Sequence, residues 1–271
     1  MIECSAARSS LIALGLLLFA NRGGWAVQLE PQAAQAFDRY IAENERRIAK
    51  QQSSAQSFLA VTNLPEPQRT EASSHLRAGD VLIRKQEGTP IKLAGAMIHH
   101  WVGAVWLPGA TIQSTLALVQ NYNNLSRYYS PEVVSSRLLS RQGNDFRITM
   151  RLRKHKILTV VLDTTYSVHY GSLDPEHAYS WSRSTRVTEI ANPGERNEHA
   201  LAEGDGHGFL WKLNSYWRFV QLADGVVVEC EAISLTRDVP AGLGWLIEPI
   251  VEKLPRESLE FTLRATRDAL R

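Results

Sequence analysis

Residues 209–235, FLWKLNSYWRFVQLADGVVVECEAISL, decide the fold. The first half alternates. Trp211, Leu213, Trp217 and Phe219 fall on one side of an extended chain, and Lys212, Asn214, Tyr216 and Arg218 on the other. A period of two is the mark of a strand with one buried face. Asp224-Gly225 then supplies a tight turn and a second alternating run follows at once, so the two read as a β-hairpin. On the second strand Val226, Val228, Cys230, Ala232 and Ser234 share a face, with Glu229 and Glu231 on the opposite one. This puts Cys230 on the buried side and the two carboxylates on the wet side.

The same pattern continues upstream. Over residues 146–152, Phe146, Ile148, Met150 and Leu152 face one way and Arg147, Thr149, Arg151 and Arg153 the other. Residues 157–170 set Leu158, Val160, Leu162, Tyr166, Val168 and Tyr170 on one face, and residues 179–190 alternate aromatic with polar side chains. Further strands are expected at 80–85, at 97–107 (closed by Pro108-Gly109) and at 133–139. Between them Thr111 can cap a helix over 112–120, and 121–130 read as a polar, aromatic turn.

Strands of this kind form an antiparallel sheet with one apolar and one wet face, and the apolar face needs a cover. The C-terminal segment supplies it, because Trp245, Leu246, Ile250, Leu254, Leu259, Leu263 and Leu270 recur at the spacing of one helical stripe. Pro249 and Pro255 interrupt that stripe, so the unbroken helix is expected over 256–270, with 245–254 as a separate, lid-like piece. The fold class is α+β: a curved antiparallel sheet wrapped around a long C-terminal helix.

Toward the N-terminus, residues 30–56 carry Phe37, Tyr40, Ile41 and Ile48 at helical spacing among charged residues, which predicts an extra amphipathic surface helix. Residues 62–78, with Pro65 and Pro67, read as loop. The ten-residue apolar run 11–20 is too short to span a bilayer but suits the core of a secretory signal, with cleavage expected after about Ala26. The expected organisation is therefore a signal peptide at 1–26, an N-terminal helix and linker at 27–90, and the main domain at 91–271. The expected location is the periplasm or the exterior.

The 271 residues are 44% hydrophobic and 21% charged, enough for a substantial core, and the net charge of +2 gives no electrostatic case for nucleic acid. Of two cysteines, Cys4 and Cys230, only the second would survive signal cleavage, so neither an internal disulfide nor a cysteine metal cluster is expected.

A strand, short helices, a run of antiparallel strands and a long C-terminal helix resemble, in that order, the START-like helix-grip (SRPBCC) superfamily, which includes polyketide cyclases and lipid-transport proteins. The segment Val102 to Leu139, through Leu107-Pro108-Gly109-Ala110-Thr111, the tyrosine-rich turn of Tyr122, Tyr128 and Tyr129, and Pro131, is similar to the superfamily's opening. The stretch from Gly208-Phe209-Leu210-Trp211 to Arg264 is similar to its close, including exported bacterial members of unknown function. The resemblance covers residues 91–271. It implies a cavity between sheet and helix that holds an apolar or amphipathic, lipid-like molecule. Phe146, Ile148, Met150 and Leu162 are expected to line it from one side, and Leu213, Trp217, Phe219, Val228 and Cys230 from the other. Trp245, Ile250, Leu259 and Leu263 would form its helical wall, and Tyr166 and Tyr170 could orient a polar head with their phenols.

Catalysis has less support. The inward faces of 146–152, 211–219 and 226–230 carry no Asp, Glu, His, Lys or Arg, which describes a binding cavity more than an active site. No catalytic residue, metal or cofactor is expected. A cyclase- or hydrolase-type enzyme on the same fold, or an envelope interaction protein with a filled core, are the alternatives. His99 and His100 are neighbours on a strand and point to opposite faces, so they cannot share a metal without a bulge. His199, Glu203, Asp205 and His207, with Glu195 and Glu198, read as a solvated glycine-rich loop. Gly204 to Gly208 lack the lysine and the strand–helix setting of a nucleotide loop. The serines of 179–188 form no nucleophile elbow, and Asp163, His169 and Asp174 read as hairpin surface residues. Arg147, Arg151, Arg153, Lys154 and Lys156 read first as a solvated face, with transient contact to a membrane surface as the alternative.

Overall fold

In the computed structural model, residues 28–155, 159–202, 206–238 and 244–271 are described, the stretch 244–252 by its backbone alone. The signal-like run 11–20, its cleavage site and Cys4 lie outside them.

The hairpin of residues 209–235 is formed by β9 (Lys212–Leu222) and β10 (Gly225–Arg237), paired from Gly225↔Leu222 to Leu235↔Lys212. Upstream lie β1 (Leu82–Lys85), β2 (Ile91–Leu93), β3 (Ala96–Pro108), β4 (Val133–Gln142), β5 (Asp145–His155), β6 (Thr159–Asp174), β7 (His177–Ala191) and the short β8 (His199–Ala200). The order across the sheet is β1-β3-β10-β9-β7-β6-β5-β4, with β2 on β3 and β8 on β7, every pair antiparallel. The last strand thus lies beside the first long one, and the sheet is an open, curved one. β1 pairs with β3 from Leu82↔Ala104 to Lys85↔Trp101, so the sheet begins before residue 91, where the main domain was expected to start.

Among the described residues, five α-helices accompany the sheet: α1 (Pro31–Gln52), α2 (Gln68–Ala78), α3 (Ile112–Val119), α4 (Leu125–Tyr128) and α5 (Gly244–Asp268). α3 starts as expected: Thr111 Oγ1 accepts from Ser114 N at 3.1 Å, and Ser114 Oγ accepts from Thr111 N at 3.0 Å. α4 lies inside the stretch read as a turn. α2 corrects the loop expected at 62–78. Only Ala72 and Leu76 of this helix are buried, too few apolar positions for periodicity to show. Its bounds are nevertheless written in Pro67 before it and Gly79 after it, whose φ of 90° lets its N–H close the helix onto His75 O and Leu76 O. α5 corrects a second expectation, since the backbone is helical from Gly244 through both prolines to Asp268 without a separate lid.

The third correction concerns the wet face. α1 presents Ala33, Phe37, Ile41 and Ile48 at helical spacing and lays them on Ala96, Ile98, Tyr216, Ile233 and Leu235 of the outer sheet face. Phe37, Ile41 and Ile48 are each worth about 1.5–3 kcal/mol when fully buried. Two 3₁₀ turns, Ala55–Ser57 and Val61–Asn63, continue the cover, with Phe58 and Leu59 against Ala104 and Val227. One half of the outer face is thus a second core. Trp211, expected on the inner side, precedes the regular strand and packs with this outer cluster.

Candidate ligand site between sheet and helix

The registers place the inner-face residues in rows that run across the strands. One row is His99, Ser234, Leu213, Ser184, Tyr166 and Ile148. Its step from β9 to β7 is the hydrogen bond from Leu213 N to Ser184 Oγ at 2.9 Å. The next is Trp101, Ala232, Ser215, Ser182, Val168 and Phe146. A third is Gly103, Cys230, Trp217, Ser180 and Tyr170. Small side chains occupy the middle of the second row and flank Leu213 in the first, with large ones at the ends of both. A sheet built this way has a shallow floor of alanine and serine hydroxyls between aromatic and aliphatic walls.

α5 meets the sheet at the third row and beyond it. A Cβ on Gly103 would lie 2.5 Å from Leu263 Cδ1 and 3.2 Å from Leu259 Cδ2, so glycine is what lets the helix come this close. Leu259 and Leu263 join Val105, Leu107, Phe219, Val228 and Cys230 in a sealed cluster, where Trp217 and Phe219 stack at 6.2 Å with 9° between their planes. Farther along the sheet, Phe261 and Ala265 reach Phe146, Ile148, Tyr166 and Tyr170.

The two faces of β9 differ in an unexpected sense. Asn214, Tyr216 and Arg218, on the outer side, are buried beneath α1. Leu213, Ser215 and Trp217, beneath the helix that should seal them, are only half-buried. Ser182, Ser184, Trp101, Met150 and Phe261 share that intermediate exposure. Solvent therefore reaches the inner face around the serine floor.

The expected lining residues divide accordingly. Leu213, Trp217 and Met150 border the accessible part. Phe219, Val228, Cys230, Leu259 and Leu263 fill the contact between helix and sheet. Phe146, Ile148, Tyr166 and Tyr170 form an aromatic wall with Tyr122, Leu125 and Tyr129, and Leu162 is buried at the far end of β6, opposite Glu189. The side chains of Trp245 and Ile250 lie outside the described residues. Tyr170 does not offer a free phenol, because its hydroxyl is 2.8 Å from that of Tyr122. Tyr129 is likewise tied to Thr266 Oγ1 at 3.0 Å. The Tyr166 hydroxyl is buried and makes no well-formed hydrogen bond among the described residues, Thr164 being its polar neighbour; burial outweighs the lowering effect of Thr164 and pushes its pKa up to about 12. The Cys230 thiol is pushed up by burial as well, which keeps it protonated and unreactive at neutral pH.

Sequence reasoning missed the floor. Its signal was present in Ala178, Ser180, Ser182 and Ser184, an unbroken period-two run of small residues on a strand whose other face is large. It also missed that ionisable groups lie on the inner side, His99 and Glu189 among them. His99 does, in register with Ser234; its Nε2 is 3.1 Å from Thr236 Oγ1, and burial pushes its pKa down to about 4, so it is neutral at pH 7. Glu189 does too, in register with Leu162, and its carboxylate is occupied by His207 N at 2.7 Å, Phe209 N at 3.1 Å and His207 Nδ1 at 3.0 Å. It secures the loop before β9.

The other candidates separate. His99 and His100 face opposite ways, as expected, and no cluster of three metal-ligating side chains exists among the described residues. Asp163 pairs with Arg151, His169 with Asp145 and Asp174 with His177, so these three form no constellation. His199 is exposed, and Glu203, Gly204, Asp205 and Lys156 lie outside the described residues. No helix among the described residues is long and apolar enough to cross a membrane.

A strand and short helices leading into an antiparallel sheet that grips a C-terminal helix make the α+β helix-grip fold expected from the order of elements in the sequence. No protein-family model matches the chain, and no curated protein matches it. Solved structures similar to it include a STAR-related lipid transfer protein from Xanthomonas axonopodis, 19% identical over 69% of this chain and 98% of that one, with a TM-score of 0.42. A START superfamily protein from Mycobacterium smegmatis is 14% identical over 64% and 97%, with a TM-score of 0.43. The Zhui aromatase/cyclase of a Streptomyces species is 11% identical over 64% and 93%, with a TM-score of 0.39.

Proposed function

We propose that this protein is a non-catalytic carrier or binder of an amphipathic, lipid-like molecule, held between the inner sheet face and α5. The observation that carries the reading is the inverted burial in the middle of β9: Leu213, Ser215 and Trp217, facing the helix, are half-buried, while Asn214, Tyr216 and Arg218, facing α1, are buried. Apolar walls around a few hydroxyls are the composition of a ligand cavity. Trp101, Trp217, Met150 and Phe261 would contact the chain of such a ligand, and the serine row would contact its polar end.

Binding is favoured over chemistry by the state of His99 and Glu189 on the inner side. His99 is neutral and bonded to a threonine hydroxyl, and the Glu189 carboxylate is fully used by its loop. The short apolar run 11–20 followed by Gly24 and Ala26 supports export, so the ligand would be carried outside the cytoplasm. Native mass spectrometry of protein purified from its own host, with extraction of the bound fraction, tests the reading. A co-purifying lipid-like mass, released on unfolding, is expected. Protein that is ligand-free from its host and that takes up no added lipid would refute it.

A further inference from the structure

The outer face of the sheet has a second half, β4 to β7, that α1 does not reach. Two of its rows are Arg137, Thr149, Thr165 and Arg186, and Ser135, Arg151, Asp163 and Thr188. Together with Ala200 of β8 they line a groove of about 670 Å³. That volume falls in the range of small-molecule sites. The segment before β8 is fastened beside it by Glu198, whose Oε1 accepts from Arg151 Nη1 at 2.7 Å.

The charges of the groove are unevenly satisfied. Arg151 is neutralised by a two-pronged contact to Asp163, at 2.7 and 2.9 Å, in addition to Glu198. Arg186 has only a neutral partner, Thr188 Oγ1 at 3.1 Å, and Arg137 has no hydrogen bond or ion pair among the described residues. Arg137 and Arg186 stand at the two ends of one row, about 14 Å apart at three strand spacings, with two threonines between them. Arginine is the side chain best shaped to grip phosphate or carboxylate oxygens in pairs, and threonine and serine hydroxyls suit a polyol.

From this juxtaposition we infer a second site, on the opposite side of the sheet from the apolar one, for a small anionic carbohydrate. Its phosphate or carboxylate is held by the arginine at one end of the row, Arg137 or Arg186, and its hydroxyls lie on Thr149, Thr165 and Ser135. The groove is concave and walled by the segment at Ala200, which suits a compact ligand better than the flat surface of a bilayer.

The test is titration of the full chain with glucose 6-phosphate, glucuronate and uncharged glucose, followed by calorimetry and by amide chemical shifts. Saturable binding of at least one anion is expected, with shifts confined to β4–β7 and no response to glucose. Which anion binds separates a phosphate source from a carboxylate source. The double variant Arg137→Glu/Arg186→Glu should bind at least about tenfold more weakly, through loss of charge-assisted hydrogen bonds. Both positions are exposed, so its melting temperature should not change. Failure of both anions to saturate, or undiminished binding by a folded double variant, would overturn the inference. So would arginine-dependent sedimentation with phosphatidylglycerol vesicles when neither sugar anion binds, since that result describes a membrane contact.

Discussion

Arg218 donates from Nη2 to Glu231 Oε2 at 2.7 Å, and neither side chain is exposed to solvent. Arg218 Nε also lies 2.9 Å from Glu229 Oε1. Around this pair, His100 Nε2 stands 2.7 Å from Glu231, and Arg47 of α1 reaches the same carboxylate. Glu229 accepts backbone N–H groups from Ala60 at 2.8 Å and Val61 at 2.9 Å. The sheet and the N-terminal segment each supply part of the compensation for two buried carboxylates, which makes them one folding unit.

Replacing Arg218 therefore removes more than one ion pair. Arg218→Met would leave Glu229 and Glu231 buried on one strand face with half of their neutralisation gone. A loss of about 3–5 kcal/mol is expected. Urea unfolding checks it, and adding Glu231→Gln to the variant should restore part of the loss. A cost below about 1 kcal/mol would show that water reaches the cluster.

Acid should destabilise the fold in two stages. Burial alone holds His99 down to about 4, from 6.5. Burial pushes Glu231 up, but His100, Arg218 and Arg47 outweigh it and hold the carboxyl well below 4.5. Tyr40 and Glu229 face the same cluster. For both groups the unfolded chain takes up its proton at higher pH than the folded one, so stability falls as pH falls. The His99 contribution starts to go below about pH 6.5, and that of Glu231 below about 4.5. His207 acts in the opposite sense: Glu189 raises it, so its contribution is complete below 6.5 and fades as pH rises above that. Melting temperatures between pH 7.5 and 4 test this, and His99→Gln should flatten the curve between 6.5 and 4.5. An unchanged melting temperature from pH 6.5 to 4 would contradict it.

Gly103 sets the distance between helix and sheet. A Cβ there would meet Leu263 Cδ1 at 2.5 Å and Ile83 Cδ1 at 2.7 Å, so Gly103→Val must push α5 outward. Overpacking of this kind costs about 1–3 kcal/mol. Leu263→Ala in the same chain should recover part of it in denaturant melts, and strictly additive losses would contradict the contact.

Tyr166→Phe should be neutral or raise stability, by up to about 1 kcal/mol, because it removes a buried hydroxyl that makes no well-formed hydrogen bond. A clear loss would mean that the hydroxyl has a partner in solution, and bound ligand is then the first to test for.

The strands were legible because their alternation is strong, and β9 and β10 declared both their faces and their turn. The fate of the outer face was not legible. Glu229, Glu231 and Arg218 look like solvent-facing residues on any strand, and only the docking of α1, some 180 residues away in sequence, turns them into a core. α2 was hidden by having just Ala72 and Leu76 to bury, and the continuity of α5 by two prolines that local rules read as stops. At the site, the large wall residues were visible as hydrophobic alternation. The serine floor was not, since the room a small side chain leaves depends on the neighbours that pairing brings beside it. His99 stood out only as half of an unpromising pair.

Whether the space over that floor holds a ligand can be measured with cis-parinaric acid, a fluorescent fatty acid, through energy transfer from the chain's tryptophans. Ser182 lies mid-floor between Ser215 and Val168, so Ser182→Phe fills the space without touching the helix contact at Gly103. The wild-type protein should saturate near one molecule per chain, and Ser182→Phe should bind at least about tenfold more weakly, some 1.4 kcal/mol, at an unchanged melting temperature. Saturation of the folded variant with wild-type affinity, or no saturable binding by the wild type, would contradict a ligand site between the sheet and α5.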